Sequence, residues 1–174
     1  MKIRRLLAYL IDWYLISFLM NLLLFVLVYF KENAAITNLI PIGYFKGTEQ
    51  IVVLLLLFAM QIIYFCIIPN NLFKGQTIGK KLLKIKIVKT DGSDVKLLNL
   101  LMRDLVGMVI IEGSFWPFSN YIRNVIMPYI GRTPIQYLVY IAAFVSFISI
   151  VISFINKNQK MLHDYVGDTK VILI

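Results

Sequence analysis

Residues 4–30 read RRLLAYLIDWYLISFLMNLLLFVLVYF: two arginines, an apolar turn, one carboxylate at Asp12, then no charge from Trp13 to Phe30. At 1.5 Å rise per residue the uncharged part alone makes a helix of about 27 Å, close to the ~30 Å hydrocarbon core of a bilayer. This stretch predicts a membrane span with a basic entrance. Two further runs have the same character, residues 51–68 (IVVLLLLFAMQIIYFCII) and 135–155 (IQYLVYIAAFVSFISIVISFI), both without a charged residue. A fourth apolar segment, 97–118 (LLNLLMRDLVGMVIIEGSFWPF), is interrupted by Arg103, Asp104 and Glu112 and stopped by Pro117.

Composition agrees with a membrane fold. The 174 residues are 60% apolar and 14% aromatic, with a mean hydropathy of +0.80, beyond the composition of soluble domains. Lys2, Arg4 and Arg5 before an apolar stretch imitate a secretory leader, but the stretch continues to Phe30 with no small-x-small site after it, so an uncleaved first span is expected. The fold class expected is an all-α membrane protein. It is a single domain over 1–174, a four-span bundle with spans at 6–30, 51–68, 97–118 and 135–155.

Charge sets the expected orientation. The net charge is +9, yet the basic residues flank apolar runs, which points to topology and anionic lipid headgroups rather than nucleic acid. With four spans, Lys and Arg number three in the N-terminal tail, eight between Lys74 and Arg103 and three after Phe154, against two in each intervening loop. Both termini should therefore be cytoplasmic. Trp13, Tyr14, Trp116 and Tyr137 fall near span ends, as an interfacial aromatic belt would have them.

The cytoplasmic insertion 70–96 differs in kind. LLKIKIVKTDGSDVKLL alternates Lys and Ile and carries Asp91-Gly92 as turn punctuation, which suits a short β-hairpin-like insertion. Leu83, Ile85 and Ile87 would face the bundle, while Lys84 and Lys86 face water or lipid phosphate. Just before it, GQTIGKK (75–81) has three residues between its glycines and no Ser or Thr after Lys81, so it is not a phosphate loop. Gly75 and Gly79 are instead expected to allow tight re-entry from the second span.

Arg5, Ala8 and Asp12 are spaced by three and four and share one helical face. A lone carboxylate in a membrane is strongly unfavourable, so Asp12 should turn inward to a cation, with Arg5, Arg103 or the C-terminal tail (156–174) offering partners. Glu112, about 13 Å along the third span from Arg103, is a second intramembrane proton or cation candidate beside Asp12. His163, the one histidine, precedes Asp164 in MLHDYVGDT (161–169). Neighbouring helical residues diverge by about 100 degrees, so the two make a poor relay or zinc site, although histidine ordinarily changes charge near neutral pH and could respond to it. Cys66 reads as a small buried hydrophobe. No cofactor, metal site or enzymatic activity is expected.

In order, Arg5 and Asp12 in RRLLAYLID, then GQTIGKKLLKIKIVKTDG, Arg103 in LLMRDL and LHDYVGDT resemble the RDD family of bacterial membrane proteins, named for one arginine and two aspartates. The resemblance assigns the arginine to Arg5, the first aspartate to Asp12 and the second to Asp164; Asp168 stands where a small residue is more usual. It implies a multi-pass protein of the bacterial cell membrane. The activity it implies is transport-associated, monovalent cation/proton exchange included, with Arg5, Asp12, Asp164 and Arg103 as one charged cluster. The alternative it implies is a non-catalytic regulatory or assembly partner of a membrane enzyme or complex; the protein partners expected are another membrane protein or further copies of the chain in a homo-oligomer.

Overall fold

In the computed structural model the described residues are 2–32, 41–156 and 159–174; Lys157, counted above in the basic tail, lies outside them. The helices are α1 (Lys2–Glu32), α2 (Thr48–Ile62), α3 (Ile78–Leu82), α4 (Leu97–Leu101), α5 (Pro117–Ile130), α6 (Arg132–Ile155) and α7 (Leu162–Val166). Strands β1 (Ile85–Lys89) and β2 (Thr169–Leu173) pair antiparallel. Two helices continue as wider π-helical stretches: α2 through Ile63–Leu72, and α4 through Met102–Ile111. Such stretches are rare, and short ones collect at functional sites.

Among the described residues three helices are long and apolar enough to cross a membrane: Lys2–Glu32, Thr48–Leu72 and Arg132–Ile155. They contain the three uncharged runs. On α1 the buried residues are Arg5, Ala8, Asp12, Ile16, Met20, Leu24 and Val28, a single stripe at helical spacing. The Arg5–Ala8–Asp12 face is thus the inward face of the whole helix.

Segment 97–118 is not one continuous helix. Its helical part ends at Ile111, and Pro117 opens α5 rather than merely closing what precedes it. Proline suits the first helical turn, where its missing N–H is not needed. The backbone groups freed between the two pieces are taken up by side chains: Ser119 Oγ donates to the Val109 carbonyl at 2.8 Å, Ser146 Oγ to Glu112 at 3.1 Å, and Trp13 Nε1 to Phe115 at 2.8 Å. Arg123 donates to the Gly113 and Ser114 carbonyls at 2.7 and 3.0 Å. This arginine, read from sequence as a loop residue, sits in α5 and caps the break. α4 starts against the stretch that ends α2, whereas α5 packs on α2, α6 and the turn Ile42–Tyr44 that precedes α2.

Trp116 is also placed differently from its expected interfacial position. It is 2% exposed and packs against Tyr9 and Phe65, with ring centroids 5.7 and 5.0 Å away. Its body fills the space the break opens.

The expected local hairpin is present only as a single antiparallel bridge, Val88 to Asp94, with the Lys89 amide donating to the Ser93 carbonyl, while the full partner strand of β1 lies in the tail. β1 pairs with β2 of the C-terminal tail, Ile85 opposite Leu173 and Lys89 opposite Thr169. Ile85, Ile87 and Val88 are buried and Lys84 is exposed. Asp91-Gly92 does form a turn: Gly92 N–H donates to the Lys89 carbonyl, and Asp91 accepts from the Ser93 amide and hydroxyl.

Candidate functional site

Most of the buried charge collects where α1 begins, α2 ends and the tail folds back. It forms two sockets and a bridge. In the first socket Asp12, 1% exposed, accepts from Tyr64 Oη at 2.6 Å, from the Gly79 amide at 2.8 Å, from the Thr77 hydroxyl, and from Lys80 Nζ at 3.4 Å. GQTIGKK delivers three of these donors. Thr77 caps α3 by accepting from the Lys80 amide, and Gly79 lets that turn lie directly on α1. A Cβ at Gly79 would stand 2.6 Å from the Ala8 carbonyl oxygen and 2.9 Å from Asp12 Oδ1. Burial holds the Lys80 ammonium below lysine's usual range, against the opposing pull of Asp12.

The second socket surrounds Asp164, 0% exposed. Arg5 Nη2 donates to Oδ2 at 2.6 Å and Arg103 Nη1 donates to Oδ1. The Met161 amide adds a bond at 2.9 Å, while Arg103 also reaches Thr169 Oγ1 at 2.9 Å. Burial pushes the Asp164 carboxyl up, but Arg103, His163 and Arg5 with the Met161 N–H outweigh it and hold the group well below the usual carboxylate range. Two glycines bring the tail this close. At Gly107 a Cβ would meet His163 Cβ at 2.6 Å, and at Gly167 it would meet Arg103 Cβ at 2.6 Å. Asp168 is exposed in a left-handed turn (φ 50), which aspartate tolerates, so the close packing falls on Gly167 instead.

The bridge is Glu112 with His163. Glu112 Oε2 lies 2.9 Å from His163 Nδ1, and Oε1 accepts from the His163 amide at 3.0 Å and from Ser149 Oγ at 2.6 Å. His163 Nε2 stands 3.8 Å from Asp164. Glu112, at the end of the π-helical stretch, thereby ties the break to the tail and to α6.

Arg5, Arg103 and Asp164 are brought together as expected. Asp12 is not among them: its cation is Lys80, and its other partners are neutral. Tyr64, Thr77 and Lys80 were missed by sequence reasoning, and Gly79 was read only as a turn residue. A threonine cap three residues before a lysine was the available signal, but nothing local joins it to residue 12. Gln61 and Asp104 form a third buried pair, with Gln61 Nε2 at 3.0 Å from both carboxylate oxygens.

A model of the RDD family matches residues 3–168. The chain belongs to the RDD family. No curated protein and no solved structure matches it. The RDD match spans both sockets and the bridge, from Arg5 through the GQTIGKK turn to Asp168. Of the arginine and two aspartates that the resemblance assigned, Arg5 and Asp164 pair directly, whereas Asp12 anchors a separate part of this RDD fold.

Proposed function

We propose that this RDD protein crosses the cell membrane four times, with both termini cytoplasmic, and carries out monovalent cation/proton exchange in which Glu112 and His163 hold the moving proton. The fourth crossing is α4 with its π-helical extension followed by α5, broken at 112–116. The observation that carries the reading is the placement of Glu112 at that break, bonded to an imidazole. Broken helices and intramembrane carboxylates recur at transport sites. Asp12 has no imidazole beside it: its donors are a phenol, a hydroxyl, a backbone amide and Lys80. Exposed Lys74, Lys81, Lys84 and Lys96 give the insertion a surface for anionic headgroups.

One observation favours the second reading, a non-catalytic partner in a membrane complex or a homo-oligomer. In the most apolar part of α6 only 11% of the residues are buried, against 33% in α2. The discriminating experiment is sodium- and potassium-driven proton flux in proteoliposomes of purified chain. Exchange predicts flux in wild type, its loss in folded Glu112→Gln, and its retention in folded Asp12→Asn. Absence of flux from correctly inserted wild type overturns exchange and leaves the partner reading.

A further inference from the structure

Asp104 is 2% exposed and Gln61 is 0% exposed, and they face each other from the last turn of α2 and the first turn of the π-helical stretch after α4. The contact is lopsided. Gln61 Nε2 donates to both Asp104 oxygens, while Gln61 Oε1 is buried with no hydrogen-bond partner among the described residues. A buried carboxylate ordinarily has a cation beside it, and a buried acceptor ordinarily has a donor. Here neither holds. Among the described residues the nearby cations are committed elsewhere: Arg103 turns to Asp164 and Thr169, and Lys80 turns to Asp12 and Thr77. The other titratable neighbours on packed elements are Cys66 and Tyr64 after α2 and His163 in α7; Tyr64 serves Asp12, and His163 serves Glu112.

The donor sets of the buried carboxylates point the same way. Asp12, Asp164 and Glu112 each accept from several donors that favour the ionised form, whereas Asp104 has a single neutral donor group.

We propose that Asp104 and Gln61 form a buried proton-binding site, in which Asp104 is a neutral carboxylic acid paired with the Gln61 carboxamide. The proton comes from water and forms one O–H bond on Asp104. Rotation of the Gln61 amide then lets that O–H donate to Oε1 while Nε2 donates to the other oxygen. The reciprocal pair satisfies the orphaned acceptor and removes the unpaired charge together. This site does not depend on ion exchange by the chain.

The test is infrared spectroscopy and carboxyl-13C NMR on the full chain, aspartate-labelled and purified in detergent at neutral pH. Of the six aspartates, one is expected to give the signal of a protonated carboxyl. That signal should disappear in Asp104→Asn and shift in Gln61→Met, which keeps the assignment open should Asp104→Asn fail to fold. Six ionised aspartates overturn the proposal, as does an acid signal that survives in Asp104→Asn or is unmoved in Gln61→Met. Failure of the flux experiment would leave these readouts unchanged.

Discussion

Asp12 and Asp164 are equally buried, yet the fold neutralises them by different means. Asp164 is held by two guanidinium groups from helices far apart in sequence, Arg5 and Arg103. Asp12 is held mainly by a phenol, a hydroxyl and one backbone N–H, with a single lysine at 3.4 Å. Ion pairs supply strong attraction but leave a buried charge behind when one partner goes. Dipoles each supply less, and losing one leaves the others in place. The ionic socket closes the tail over the bundle; the dipolar socket fixes the turn after α2.

The largest effect should follow Arg103→Leu, which leaves Arg5 as the one guanidinium on Asp164 and orphans the Thr169 contact. A loss of about 3–5 kcal/mol is expected, read as a lower melting temperature in detergent. The same variant should alter the acid response. Because the Asp164 carboxyl is depressed in the folded chain, its stabilising contribution is complete above the unfolded value of about 3.9 and is lost as pH falls through the lower folded value. Removing Arg103 raises that folded value, so acid melting should begin at higher pH than in wild type; an unshifted acid profile would break the ionic half of the comparison.

Asp12→Asn should cost less, about 1–3 kcal/mol, since the amide keeps one acceptor for Tyr64 or Gly79 but turns a donor toward Thr77 and Lys80. Tyr64→Phe, which removes one donor and leaves the rest, should cost about 1 kcal/mol. At the opposite end of α1, Lys31→Ala breaks an exposed pair with Glu49 at 2.6 Å and should change stability by less than ~1 kcal/mol. A Tyr64→Phe loss as large as that of Arg103→Leu would erase the distinction between the sockets.

Much of this architecture was legible in the sequence because apolar runs and helical spacing are local signals. The runs at 13–30, 51–68 and 135–155 mark helices directly, and the spacing of Arg5, Ala8 and Asp12 marks the buried face. What could not be read depends on contacts distant in sequence. Ile85 and Ile87 show a half-buried strand but not that its partner is 169–173. Pro117 shows a discontinuity, but whether a chain stops or restarts there rests on Trp13, Ser146 and Arg123 serving the freed carbonyls. Asp12 shows that a partner must exist, and the nearest arginines were the obvious choice; the choice of Lys80 is made by the close approach that Gly79 permits.

The central claim is that Arg5 belongs to Asp164 and not to Asp12. Two double-mutant cycles on detergent melting test it, Arg5→Met with Asp164→Asn and Arg5→Met with Asp12→Asn. Direct partners should show a coupling energy of about 0.5–3 kcal/mol in the first cycle, with the second several-fold smaller. Coupling between Arg5 and Asp12 equal to or greater than that between Arg5 and Asp164 would contradict the two-socket account and restore a single charged cluster.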